Sequence, residues 1–393
     1  TQSRGLGDVY KRQALTQQLG EFGGRDVLKA RIAMLSSINN PVDGIEAAGR
    51  TNQITRLDQL LEYYKAMLLT GVATHVVNAV SNAGMQVLND VDYAFAGIIG
   101  KLTGSKDGVT LNEFRERISA YGEGTRLGMS ALWEGIKNED PTYEQLNLER
   151  GLTKVEQRHP HAIGGLAGKV IRTPFRLLGA FDMFYKGIAF AKSIRGQAQR
   201  MVDAGYEGTV ADLVKNPTEA MLREANDEAA YLTFTNQAGD FTQWIKQGAY
   251  KHPYLQVLIP FINTPANIIK LATKHSPAAV LWKDVRDDIK AGGRRRDLAL
   301  GRIATGSAIG FTAVSLAAAG LLTGQPPEDP NERRMWLANK QANSIKIGDQ
   351  WVSYSRLEPF GMLLGIAADM YTFSNRMSVD EAGELASLCL LYT

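Results

Sequence analysis

"AMLLTGVATHVVNAVSNAGMQVLN", residues 66–89, carries no charged side chain. Its larger polar groups are nonetheless ordered: His75, Asn78, Asn82, Gln86 and Asn89 follow one another at steps of 3, 4, 4 and 3. An α-helix turns once in about 3.6 residues, whereas a strand alternates at every second residue. The spacing therefore predicts a helix with one continuous polar stripe, and Val76, Val77, Val80 and Val87 lie largely off it. A helix that wets its polar face normally carries Lys, Glu or Arg there, and this one carries none for about six turns. The stripe reads as a helix–helix contact face, a ladder of amides between packed helices, or the lining of a wet lumen.

Outward from this stretch, helix starts recur and strand signals are scarce. Thr110-Leu-Asn-Glu113 and Ser378-Val-Asp-Glu381 have the spacing of capping boxes, in which hydroxyl and carboxylate each satisfy a free backbone donor. Pro follows a cap residue at Thr173-Pro174, Asn216-Pro217, Thr264-Pro265, Ser276-Pro277 and Asp329-Pro330; its fixed φ suits the first helical position. Helices are predicted near 25–38, 53–100, 110–137, 165–205, 217–247, 254–272, 277–291, 297–323, 330–340 and 359–375. "SIKIGDQWVSYS" (344–355) alternates around Gly348-Asp349, a hairpin pattern. The fold class is all-α, a multi-helix elongated bundle with one small β-hairpin near 344–355. An N-terminal helical region (14–136) and a second helical domain (161–387) are separated by a polar, exposed connection at 137–160. "KVIRTPFRLL" (169–178) and "PFINTPANII" (260–269) share Ile-x-Thr-Pro, which reads as two helices that begin alike.

A second uncharged run lies in "GRIATGSAIGFTAVSLAAAGLLTGQPPEDP" (301–330), with no charge from Ile303 to Pro327. Residues 303–323 form a candidate membrane span, rich in Gly, Ala, Ser and Thr and therefore of marginal apolarity. Gly306 and Gly310, four apart, would let a second helix approach closely. Arg294, Arg295, Arg296 and Arg302 precede the run and are candidates for contact with lipid headgroups or phosphate; a solvated helix end is the plainer alternative.

Composition narrows the chemistry. The 393 residues are 44% hydrophobic and 22% charged, with a net charge of +3. A sizeable core is affordable, and a nucleic-acid footprint over the whole chain is not indicated. A mean hydropathy of −0.19 excludes a polytopic protein of Leu-rich spans. The first apolar stretch lacks the basic flank and length of a signal peptide. "IGGLAGKV" (163–170) fails the phosphate-loop pattern, because Ile163 stands at the first glycine and Val170 at the hydroxyl. "GEGTRLG" (122–128) fails the dinucleotide spacing. Among His75, His159, His161, His252 and His275 only the pair around Pro160 is close, and it reads as a solvated loop. In "FDMFYKGIAF" (181–190), Asp182 and Lys186 form an i, i+4 pair on a packed helix. No catalytic, cofactor or metal site is expected, and no small-molecule substrate; a dispersed enzyme site is the weakest alternative.

The two ends, "SRGLGDVYKRQ" (3–13) and "CLLYT" (389–393), resemble translated sequencing adapter. On that reading residues 1–13 and 388–393 are artefact, and the native text runs from about Ala14 to about Ser387 as a fragment of a longer frame. The single cysteine, Cys389, then falls outside the protein, leaving no disulfide or thiolate ligand.

Five blocks carry a family resemblance: "LLTGVATHVVNAVSNA" (68–83), "RTPFRLLGAFDMFYKGIAFAKSIRGQA" (172–198), "LIPFINTPANIIK" (258–270), "GLLTGQPP" (320–327) and "SIKIGDQWVSYSRLEPFGMLLGIAADM" (344–370). In their order they resemble the helical large polyvalent-type or internal virion proteins of bacteriophages. The resemblance implies a chain stored in the capsid with other virion proteins, forming a homo-oligomer, and ejected with the DNA into the host envelope. Its partners would be those proteins, the host membrane and, non-specifically, phage DNA. Related chains carry enzymatic domains elsewhere; none is visible here, and the family lends no catalytic residues. The alternative function is a non-membrane helical module that binds other virion proteins or DNA.

Overall fold

In a computed structural model, residues 54–105, 107–137, 162–236 and 260–374 are described, with a few positions between 237 and 259. The terminal segments, the 137–160 connection beyond Lys137, the predicted helix at 25–38, the Ser378 capping box, His159, His161 and Cys389 lie outside the described residues.

Helix 173–203 is the axis. No residue from Thr173 to Gln199 is exposed, because helices close over it on all sides. In chain order the described helices are α1 (Arg56–Leu68), α2 (Val72–Thr103), α3 (Leu111–Ser119), α4 (Tyr121–Lys137), α5 (Gly165–Ile171), α6 (Thr173–Asp203), α7 (Val210–Lys215), α8 (Glu219–Leu232), α9 (Leu255–Leu258), α10 (Asn263–Lys274), α11 (Lys283–Ala291), α12 (Gly293–Ala318), α13 (Pro330–Asn339) and α14 (Phe360–Ser374). A 3₁₀ turn, Pro277–Leu281, joins α10 to α11. Three antiparallel strands lie in the order β1 (Leu322–Thr323), β2 (Ser344–Ile347) and β3 (Gln350–Ser353). The all-α class with a small β element is the fold observed.

Local chemistry sets the helix ends. Thr55 and Asp58, and Thr209 and Asp212, form reciprocal capping boxes at the starts of α1 and α7. Thr110 caps α3 through the Glu113 amide at 3.0 Å, but the Glu113 carboxylate turns away to pair with Arg294. Ser276-Pro277 and Asp329-Pro330 start their helices as predicted; Pro174 and Pro265 fall one and two positions further in, and Thr218 takes over as cap after Pro217. The continuous helix expected over 53–100 breaks at Leu69–Gly71, where Gly71 is extended and Thr70 Oγ1 donates back to the Met67 carbonyl at 2.7 Å.

Glycine decides the tightest contact. A Cβ on Gly187 of α6 would lie 2.7 Å from the Gly128 backbone of α4, and one on Gly128 would lie 2.3 Å from the Phe184 carbonyl. Gly124 and Gly128 of "GEGTRLG" thus serve backbone-to-backbone packing of α4 on α6, while Gly122 faces open space. Phe190, Ile194, Leu213 and Met221 fill the space beside that contact, and Met85, Leu232, Ile268 and Leu271 make a second cluster between α2, α8 and α10. The hairpin of β2 and β3 turns at Gly348 (φ 60°) as the sequence indicated. Its neighbour β1 was not anticipated: Leu322 and Thr323, inside the uncharged run, form a strand paired with Ile345 and Ser344.

Candidate functional site

The polar stripe of α2 points inward. Asn78 and Asn82 both donate to Asp182 Oδ1 of α6, at 3.1 and 2.9 Å, and Gln86 Nε2 reaches the Tyr185 carbonyl at 3.4 Å. Asn89 Oδ1 accepts from Arg117 of α3 at 2.8 Å. Asn82 is 0% exposed, with Gln86 and Asn89 also buried. His75, at the open end of the stripe, is half-buried, and its Nδ1 has no hydrogen-bond partner among the described residues.

Below the stripe lies a line of buried charge. Arg117, 1% exposed, pairs with Glu228 of α8, donates to Asn89 and stacks 3.7 Å over the Tyr93 ring. Burial by itself would lower the Arg117 pKa, but Glu228 and Tyr93 outweigh it and hold the guanidinium firmly charged. One turn away, Lys192 of α6 is 0% exposed. Its Nζ lies 2.5 Å from Asp90 Oδ1, 3.2 Å from the Gln86 carbonyl and 3.3 Å from the Tyr121 hydroxyl, which itself donates to Asp90 at 2.5 Å. Burial is the largest influence here and brings Lys192 down to about 8, against the opposing pull of Asp90. The Tyr121 phenol is pushed above its ordinary range by burial and by its bond to Asp90. A third node joins α2, α10 and α12: His275 Nε2 lies 3.0 Å from Asp92 Oδ2, while its Nδ1 lies 3.0 Å from the Leu271 carbonyl.

The outer faces are the converse. Val72, Val76, Val80, Val87, Val91, Ile98 and Leu102 of α2 are exposed, opposite its amide stripe. Helix α12 is the one helix among the described residues long and apolar enough to cross a membrane, and 28% of its most apolar stretch is buried. It begins at Gly293 and ends at Ala318, so it does not run on through 323 as the span over 303–323 required; Gly320 takes φ 72° and β1 follows. Phe311 on it is 76% exposed. The two spaced glycines differ. A Cβ on Gly306 would lie 1.4 Å from the His275 carbonyl oxygen, whereas Gly310 faces open space.

The basic residues before the run are engaged within the fold. Arg294 pairs with Glu113 and donates to the Tyr93 hydroxyl at 2.9 Å. Arg295 pairs with Asp288 at 2.5 Å and stays exposed. Arg296 bridges Asp297 at 2.9 Å and Thr103 at 2.6 Å. Arg302 lies 5.3 Å from the Tyr231 ring. Among the described residues no group of three His, Cys, Asp or Glu could hold a metal ion. A shallow recess of about 270 Å³ is lined by Gly97, Lys101, Ser105, Val109 and Thr110. What the arrangement offers is a buried network of paired charge beneath two apolar outer faces, those of α2 and of α12 beyond Arg302.

That interior was missed because its members are distant in sequence. One signal was present: Asp58, Glu62 and Lys65 share a helix face with Leu61, which marks a buried charged face. No protein-family model, curated protein or solved structure matches the chain.

Proposed function

We propose that this chain is a helical segment of a bacteriophage internal virion protein, stored with other virion proteins and delivered to the host envelope, where it acts on the membrane without chemistry of its own. The observation that carries the reading is α12, the one helix among the described residues long and apolar enough to cross a membrane, with only 28% of its most apolar stretch buried and Phe311 on its open side. As folded, its uncharged part from Ile303 to Ala318 is about 24 Å long, at roughly 1.5 Å per residue, short of a hydrocarbon core of about 30 Å. Spanning therefore requires residues 319–323 to leave β1 and rewind onto the helix, and the close approach of Gly306 to His275 must be given up. The stored form is a packed helix and the delivered form a span.

The test locks β1 to β2. Leu322 and Ile345 are direct partners, so Leu322→Cys with Ile345→Cys, in a Cys389→Ser background, can be oxidised to a disulfide. The wild type and the reduced variant are expected to release dye from anionic vesicles; the oxidised variant is not. Equal release from the locked protein would contradict a rewound span, and no release from the wild type would remove the membrane reading altogether. The exposed apolar side chains also suit a second reading, a module that binds other virion proteins, for which vesicles would remain intact.

A further inference from the structure

From Leu57 to Gly100 the chain exposes no charge. Five charged residues occur there, and all are buried: Asp58, Glu62, Lys65, Asp90 and Asp92. Each has a partner within the fold. Asp58 caps Thr55, Glu62 binds Arg172 at 3.0 Å, Lys65 reaches Gln256 Oε1 at 3.2 Å, Asp90 holds Lys192 and Asp92 holds His275. What remains outside is apolar apart from Gln59, Thr70, the Tyr63 hydroxyl and small residues. The exposed set runs from Leu60 and Met67 on α1 to Val76, Val80, Val87 and Ile98 on α2. The first exposed charges beyond this interval are both basic, Arg56 on one side and Lys101 on the other.

We propose that the outer face of α1 and α2 is a lipid-contacting surface that lies on an anionic bilayer, with Arg56 and Lys101 at the headgroups. A surface made for a protein partner surrounds its apolar centre with a polar, charged rim. This one exposes no charge between Leu57 and Gly100 and has an exposed basic residue at each end, which suits an apolar face lying in an anionic membrane interface with its cations at the headgroups. Because the five charges are already buried with partners inside the fold, contact with lipid desolvates none of them. The inference rests on the membrane reading above but concerns a different surface from α12, so the two fail separately.

The experiment uses the intact chain with vesicles of phosphatidylcholine and phosphatidylglycerol. Val76→Lys with Val80→Lys changes two half-exposed positions and is expected to keep the thermal midpoint while lowering vesicle partitioning on the order of tenfold. Arg56→Gln with Lys101→Gln should weaken binding to anionic vesicles and leave binding to neutral ones unchanged. A fluorophore on Val80→Cys in a Cys389→Ser background should shift to the blue on vesicle addition, and one on Arg126→Cys should not; this reports even where the lysine variant fails to fold. Undiminished binding by the lysine variant, or no shift at position 80, overturns the α1–α2 face; binding then lost in Phe311→Lys leaves the α12 reading standing. A wild type that dimerises in solution, and is made monomeric by the two lysines, shows the face to be a contact between copies and overturns the proposal. No vesicle binding by the wild type overturns both readings.

Discussion

Replacing Arg117 by Met should be among the most damaging single changes outside the hydrophobic clusters. The guanidinium is nearly inaccessible and serves three groups at once: the Glu228 carboxylate, Asn89 and the Tyr93 ring. Met fills much of the same volume but leaves Glu228, 12% exposed, without its counter-charge. Removing one partner of a buried pair costs about 3–5 kcal/mol, because the other charge stays desolvated. Against a typical domain stability of about 5–15 kcal/mol this is a large fraction. The second arm is Arg117→Met with Glu228→Leu. Removing both charges costs far less than removing one, so the double variant should recover to within about 1–2 kcal/mol of the wild type. The pH dependence supplies a third arm. In the wild type, burial tends to raise the Glu228 pKa but Arg117 overrides it and holds the carboxyl below its usual value. That contribution is present above the unfolded carboxylate range and lost as pH falls through the lowered folded value. Without Arg117 burial is opposed only by the Ser193 hydroxyl and Arg294, so acidification should restore part of the stability of the single variant. Urea denaturation followed by circular dichroism at pH 5 and 7.5 measures all three. A single variant within about 1 kcal/mol of wild type would refute the claim that the interior is held by paired charge.

Three further outcomes follow from the same interior. Asn82→Leu, which removes a 2.9 Å donor to Asp182, should cost about 1–3 kcal/mol in denaturant titration, where an exposed amide would change stability by no more than about 0.5 kcal/mol. Gly306→Ala must push α12 off the His275 carbonyl and should lower the thermal midpoint by several degrees; Gly310→Ala meets nothing and should raise stability by about 0.5–1 kcal/mol. Lys192, near 8 when folded against 10.5 when free, is neutral in the fold but protonated in the unfolded chain between those pH values, so stability should rise across them by about 3 kcal/mol. Lys192→Met should abolish that rise. Above pH 10 the raised Tyr121 and Tyr185 oppose it.

The helical class was legible because caps and apolar spacing are local. Thr110, Asp329 and the Gly348-Asp349 turn each announced an element that the fold contains. The capping boxes at Thr55 and Thr209 carry Asp at the third helical position in place of the usual Glu or Gln, a weaker signal in sequence. The stripe from His75 to Asn89 was visible as a pattern, but its partners were not: Asp182 and Arg117 are far away in the chain, and periodicity cannot say what a face meets. The same limit hid the direction of the arginines. "GRRR" before an uncharged run suggests a headgroup anchor, yet Arg294 and Arg296 are spent on Glu113 and Asp297. Strand β1 was hidden because two residues at the end of an apolar run carry no alternation.

Flotation of the intact chain with vesicles bears most directly on a surface that, between Leu57 and Gly100, keeps its charges inward and its apolar side chains outward. The protein is expected to rise with anionic vesicles and more weakly with neutral ones, keeping the helical circular dichroism of the free form. A chain that stays at the bottom of the gradient with both, as a monodisperse monomer, would contradict it.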